Sequence, residues 1–215
     1  MNKDQKLLQE AYCKIYESIK EPLYFGPKNQ KDLWFRWLGE HDYEVNGDGS
    51  VDINESVRLK KDNQTIISRH GSLFPIDVLP FKFRNVNGGF DVCANNLDSL
   101  VNSPIFVDGN FKVAANTNIK SLEGCPKVIY GDANFNYCSE LKSLKGGPEI
   151  VKGDFECFYT EVTSLEGAPE EIGGKFKHNY LNDEIYRAHA KQHNKQKIID
   201  RDLHKDFNVN LDDFS

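Results

Sequence analysis

The chain has 215 residues, of which 39% are hydrophobic and 28% charged, and it carries a net charge of −6. This composition is typical of one globular domain with a buried core and excludes a wholly disordered chain. The acidic balance argues against direct nucleic-acid binding. No apolar run is long enough to span a bilayer, and the first residues lack a signal-peptide pattern. Five cysteines without a C-x-x-C pair suit a reducing compartment, so we expect a cytoplasmic protein.

Helical periodicity dominates the N-terminal segment, residues 1–42. Apolar residues recur every three or four positions over 3–20, which predicts an amphipathic helix that stops before Pro22. A second short helix is expected over 31–38, where Trp34 and Trp37 contribute to a bulky apolar face. We interpret this segment as a helical N-terminal cap.

The period changes to two in the next segment, residues 43–85. Apolar and polar residues alternate over 51–59, and Asn-Gly-Asp-Gly at 46–49 is typical of a turn between strands. Prolines interrupt the apolar stretch near its end. We therefore expect an irregular β segment that leads into the rest of the fold.

A repeat of about 22 residues fills the segment 86–181. Four Ser-Leu pairs begin at Ser99, Ser121, Ser143 and Ser164. Each serine is followed five residues later by a proline, and each proline five residues later by one of the glycines Gly109, Gly131, Gly153 and Gly174. A period of about 20–29 residues indicates a solenoid, in which a repeat buries its apolar side only against its neighbours. We expect one short strand after each glycine.

The C-terminal segment, residues 182–215, is helical by composition over 182–203 and ends in an acidic tail with interspersed apolar residues. It either packs on the last repeat or reaches for a partner. The predicted fold is therefore α+β: a short leucine-rich-like repeat solenoid with a helical N-terminal cap and a helical C-terminal arm.

The stretch SLEGCPKVIYGDANFNYCSELKSLKGGPEIVKGDFECFYTEVTSLEGAPEEIGGKF resembles the divergent leucine-rich-like repeats of T4-type bacteriophage proteins. The start, DQKLLQEAY, is also similar to phage sequences. The resemblance covers about half of the chain well and is specific for architecture. It departs from the family where an Asn-Asn pair should recur, because only Asn95-Asn96 keeps that pair.

Aromatic residues stand in place of the missing asparagines and form the candidate site. Stacked repeats would bring the outward-facing rings together, and tyrosine is a favoured residue at protein interfaces. The predicted partner-binding residues are Asn136, Tyr137, Phe158, Tyr159 and Tyr180. The sequence leaves an alternative open, in which these rings fill the bend after the strand or pack under the C-terminal helix.

Motifs for metal binding and catalysis are weak. His189 and His193 are four residues apart on a predicted helix, but no cysteine or glutamate ligand follows at a matching offset. The string NGDGSVDINE at 46–55 hints at a calcium loop, yet its glycine and terminal glutamate do not fall in the required register. We predict no metal, no cofactor and no catalytic residue, and hence no enzyme.

The resemblance implies a phage-encoded protein-binding module in the host cytoplasm. Its expected activity is stoichiometric inhibition of a host antiviral defence factor or toxin, for example a DarT-like toxin, with a host protein as partner. One alternative is a metal-dependent hydrolase or nucleic-acid enzyme that uses the 40–85 region with His189 and His193. A second alternative is a virion or assembly component. The pattern sets no oligomeric state.

Overall fold

A computed structural model of the chain describes residues 21–59 and 75–193. The helix predicted over 3–20 and the tail beyond 193 lie outside these described residues. Within them the chain winds into a short β-solenoid, which confirms the repeat architecture. The solenoid is built from two sheets, here called sheet A and sheet B, and successive turns pair in parallel within both.

Over residues 21–59 and 75–193, sheet A has seven strands and sheet B has six. In spatial order, sheet A contains β1 (Tyr43–Val45), β2 (Val51–Ile53), β4 (Phe83–Val86), β6 (Phe106–Val107), β8 (Val128–Ile129), β10 (Ile150–Val151) and β12 (Glu171–Ile172). Sheet B contains β3 (Val57–Arg58), β5 (Phe90–Asp91), β7 (Phe111–Lys112), β9 (Ala133–Asn134), β11 (Phe155–Glu156) and β13 (Phe176–Lys177). The pairing of β1 with β2 is antiparallel, as expected for a hairpin with its turn at 46–49.

Each repeat contains two strands, whereas the sequence pattern predicted one. The additional strand precedes the repeated glycine, so that the glycine forms the corner between sheet A and sheet B. A Cβ atom on Gly109 would lie 2.7 Å from the amide nitrogen of Gly89 in the preceding turn. Glycine is therefore required here for close backbone approach rather than for a positive φ.

A second corner, two residues before each proline, does require the left-handed conformation. Its φ values are 74°, 89°, 80° and 82° at Asn102, Gly124, Gly146 and Gly167. Glycine adopts this conformation without steric cost, and asparagine tolerates it better than most residues. The chain thus turns from the Ser-Leu segment back into sheet A.

The core is a continuous stack of aromatic rings between the two sheets. Ring centroids of consecutive members are 5.2 to 6.0 Å apart along the series Phe83, Phe90, Phe111, Phe135, Phe155 and Phe176. In the turn that contains β9, Ala133 stands where β5, β7, β11 and β13 have phenylalanine, and Phe135, two residues later, supplies the ring. This exchange of sizes keeps the stack unbroken, as close packing demands.

Two short α-helices lie among the described residues, one near each end of the solenoid. Helix α1 (Lys31–Leu38) forms where the sequence predicts it, and it buries Trp34, Trp37 and Leu38 at the first end of the core. Helix α2 is described over 183–193 and buries Tyr186 at the other end. In the part of the chain that the structure describes, neither helix is long and apolar enough to cross a membrane.

Candidate functional site

The candidate site lies at the bend that follows the sheet B strands, along a line of residues that we call the bend column. The column comprises Ala94, Ala115, Tyr137 and Tyr159. Its members occupy equivalent positions in successive turns, as their backbone hydrogen bonds show. The amide of Ala115 donates to the backbone carbonyl of Asn136, and the amide of Tyr137 donates to the backbone carbonyl of Phe158, both at 2.8 Å. The pairing of backbones across turns therefore continues beyond the strands and holds the column in register.

Tyr137 and Tyr159 stack on each other at the surface. Their ring centroids are 4.7 Å apart, and their planes differ by 14°. This distance matches the spacing of about 4.8 Å between neighbouring strands, so the backbone register itself sets the stack. The two residues are 56% and 58% exposed, which contradicts the alternative in which these two rings fill the bend.

Both tyrosines adopt a backbone conformation that is unfavourable for bulky residues. Tyr137 has φ of 61° and Tyr159 has φ of 57°, in the left-handed region. This region costs roughly 1–2 kcal/mol for residues with a Cβ atom, and glycine or asparagine fits it better. Ala94 and Ala115 share this conformation, so it belongs to the bend itself, and stability alone would not favour tyrosine there.

The other predicted site residues have different environments. Asn136 is partly buried and holds the bend, since its Oδ1 accepts the amide of Phe158 at 2.7 Å and its Nδ2 donates to Glu156 at 3.0 Å. Phe158 is also partly buried. Tyr180 is 85% exposed, and its ring centroid is 6.0 Å from that of His178. The structure thus brings Tyr137 and Tyr159 together and gives Asn136 a supporting role.

Charges next to the bend column are largely paired. Lys177 contacts Asp154 at 2.6 Å and Glu156 at 2.9 Å. The hydrogen bonds that Lys177 donates to Asp154 and then to Glu156 raise the pKa of Lys177, and the hydrogen bond from Lys177 lowers the pKa of Asp154. This part of sheet B therefore presents local ion pairs beside the tyrosines.

A buried asparagine pair supports the bend from inside, and the sequence reading missed its second member. Asn116 is fully buried, donates to the carbonyls of Val92 and Val113 at 2.9 and 2.7 Å, and accepts the amide of Leu97 at 3.2 Å. Asn95 makes the corresponding bonds one turn earlier. The spacing of 21 residues between the two was the available signal.

The weak metal and catalytic motifs gain no support from their surroundings. The ring centroids of His189 and His193 are 6.2 Å apart, and both residues line a cavity of about 330 Å³. Among the described residues, no three His, Cys, Asp or Glu side chains are grouped in a way that could hold a metal ion. Burial raises the pKa of Cys138 to about 11 and that of Cys157 to about 12, so these thiols stay protonated at neutral pH.

Comparisons with protein-family models, with curated proteins and with solved structures gave no match. The resemblance to phage repeats therefore stays a prediction, as does the assignment of the solenoid to the leucine-rich class.

Proposed function

We propose that the chain is a protein-binding module that acts without catalysis, and that Tyr137 and Tyr159 form the centre of its contact surface. The observation that carries this proposal is the exposed tyrosine stack, which occupies strained backbone positions in two consecutive turns. Alanine occupies the same column in two other turns, so the fold itself does not need a ring there.

The stack is suited to binding because it is already ordered in the free protein. Each ring restricts the other, and the paired backbones restrict both, so little side-chain entropy is lost on association. Tyrosine offers a large apolar surface together with a hydroxyl group, and serine and asparagine add adaptable hydrogen bonding. Such residues flank the stack at Ser139 and Asn179. This combination is typical of surfaces that bind proteins.

The finer assignment rests on the sequence resemblance. On that basis we propose a phage-encoded inhibitor of a host defence factor or toxin, with a host cytoplasmic protein as partner. We also propose that the helices at the two ends act as caps of a leucine-rich-like solenoid. The hydrolase and the virion component are the alternative hypotheses, and the affinity purification described next distinguishes them from the proposed inhibitor.

Affinity purification from bacterial cells, compared between the wild-type protein and the double variant Tyr137→Ala/Tyr159→Ala, tests the proposal. We expect one near-stoichiometric host protein with the wild type and a loss of about a hundredfold in affinity with the variant, as for paired hot-spot residues. Alanine fits the column at Ala94 and Ala115, so the variant should fold. The matched control is Phe25→Ala, which removes another exposed ring, 47% exposed, at the N-terminal end.

Three results would count against this proposal. Equal recovery of the partner by the double variant would exclude the tyrosine stack as the contact surface. Recovery of phage structural proteins would favour the virion-component alternative. An empty purification combined with metal-dependent turnover, lost on changing His189 and His193, would favour the enzyme.

A further inference from the structure

The outer face of sheet A carries an apolar patch that is separate from the tyrosine stack. Val107, Ile129 and Val151 point into the core and are fully buried. Their neighbours Phe106, Val128 and Ile150 occupy the outward position in three consecutive strands and are partly exposed. We call the sheet A patch the set of Ile105, Phe106, Val128, Tyr130 and Ile150.

Two members of the sheet A patch are more than half exposed. Ile105 is 57% and Tyr130 is 53% exposed, and Tyr130 packs edge to face on Phe106 at a centroid distance of 5.2 Å. In the strands on either side of these three, the same outward position is polar, with Asn85 in β4 and Glu171 in β12. The apolar surface is thus confined to β6, β8 and β10 and has polar residues on both sides, as in an interface with a polar rim.

We propose that a second copy of the chain covers the sheet A patch in a symmetric dimer. A two-fold axis parallel to the strands and level with β8 would place the two sheets face to face, with the order of strands reversed in the second copy. Val128 would then face the partner's Val128. Phe106 would face the partner's Ile150.

The charges around the patch are complementary under this symmetry. Asp108 and Lys152 occupy equivalent positions just after β6 and β10, so Asp108 would face the partner's Lys152 twice in each dimer. At the other edge, Arg84, whose guanidinium already pairs with Asp52 of the same chain, would face the partner's Glu170. Lys127 lies on the axis, and its charge is offset within the chain by Glu149 at 3.3 Å. Lys152 forms an intrachain pair with Glu171, but its side chain is still 46% exposed. The ammonium group can therefore contact a second carboxylate.

The size of the patch sets the strength of the dimer. The sheet A patch occupies three strands spaced about 4.8 Å apart and only a few residues of each, so its area is well below the roughly 800 Å² per partner of a standard interface. We therefore expect association that depends on protein concentration. The dimer does not depend on the proposed function, because it uses a different sheet.

Analytical ultracentrifugation of the full chain over a concentration series tests the dimer. The wild type should change from monomer to dimer as concentration rises. Asp108→Lys and Lys152→Asp should each weaken association by about tenfold or more, since like charges would then face each other twice. The double variant Asp108→Lys/Lys152→Asp should restore it. The control is Glu161→Lys, which makes the same change in charge at an ion pair with Lys142 away from sheet A.

Circular dichroism and thermal unfolding establish that each variant is folded before its association is compared. A wild-type chain that stays monomeric throughout the series would overturn the proposal, and this is the result expected if residues 1–20 cover the patch instead. Failure of the double variant to recover association, with each variant folded, would overturn the assigned symmetry. Weakening by Glu161→Lys to the same extent would also overturn it.

Discussion

His178 is a polar residue at a core position of the last turn. The equivalent positions in other turns are Val92, Val113, Phe135 and Cys157, all buried, and His178 is likewise only 7% exposed. Its Nδ1 accepts the amides of Tyr180 and Leu181 at 3.2 Å, so the proton of the neutral ring resides on Nε2, which has no hydrogen-bond partner among the residues that the structure describes. Burial lowers the pKa of His178 below its ordinary value of 6.5.

This environment predicts a pH-dependent stability. Well above pH 6.5 the ring is neutral in both the folded and unfolded states, and His178 adds no pH dependence. As pH falls below 6.5 the unfolded chain binds the proton first, so the free energy of unfolding should decrease, by at most about 1.4 kcal/mol per pH unit from this residue.

The measurement is urea unfolding of the wild type and of His178→Val at a series of pH values between 6.5 and the range where aspartates titrate, near 3.8. Valine is the residue at this position in two other turns, so the variant should fold and should show a smaller slope. An unchanged slope would mean that His178 is not the group responsible.

At the residue scale, periodicity was enough to find the tyrosines but not their backbone conformation. The regular spacing of Tyr137 and Tyr159 showed that they occupy the same column, and register then implied contact. Their positive φ values and the hydrogen-bonding role of Asn136 depend on where the strand ends, which no residue type marks. Asn116 was missed because Cys138 replaces asparagine in the following turn.

At the element scale, the corner between the two sheets is held by side chains as well as by glycine. Asn110 accepts the amide of Asp132, Asp132 accepts the amide of Asp154, and Asp154 accepts the amide of Lys175, each through Oδ1 at 2.8 Å. Each bond joins one turn to the next. The position needs an acceptor but not a charge, since asparagine serves in the first of these bonds.

Asp132 offers a matched pair of substitutions for this corner. Asp132→Ala removes the acceptor for the amide of Asp154 and should lower the free energy of unfolding by about 0.5–1.5 kcal/mol. Asp132→Asn keeps the acceptor and should stay close to the wild type. Chemical denaturation compares the three proteins. If asparagine is as destabilising as alanine, the charge of Asp132 matters and the hydrogen bond does not.

The strands of sheet A illustrate why part of the fold could not be predicted. Each repeat strand there is two residues long, and both residues are apolar in β6, β8 and β10. A strand of two residues is too short to show the alternation of apolar and polar residues. Because its outward residue is also apolar, the usual contrast between a buried apolar face and an exposed polar face is absent. The sheet B strands follow the glycine and alternate over a longer stretch, so the pattern revealed them.

At the scale of the whole molecule, the stacked aromatic rings couple the stability of each turn to that of its neighbours. At one end Trp37 lies on Phe81, with ring centroids 6.4 Å apart, and at the other end Tyr186 stacks on Phe176 at 5.4 Å. Each turn contacts chiefly its neighbours, so opening from an end should spread inward turn by turn. Tyr186 closes the C-terminal end, and its hydroxyl also donates to the carbonyl of Pro169 at 3.0 Å.

Substitution of Tyr186 should therefore have an effect that declines along the solenoid. Tyr186→Ala removes the ring and should cost about 3–5 kcal/mol locally, as for other buried aromatic residues. Amide hydrogen exchange should accelerate most in β13, less in β11 and least in β5. Tyr186→Phe keeps the ring and loses one hydrogen bond, at about 1 kcal/mol, so its exchange should rise only slightly. Equal acceleration in all three strands would show that the turns unfold as a single unit, because the loss at one end would then be felt everywhere at once.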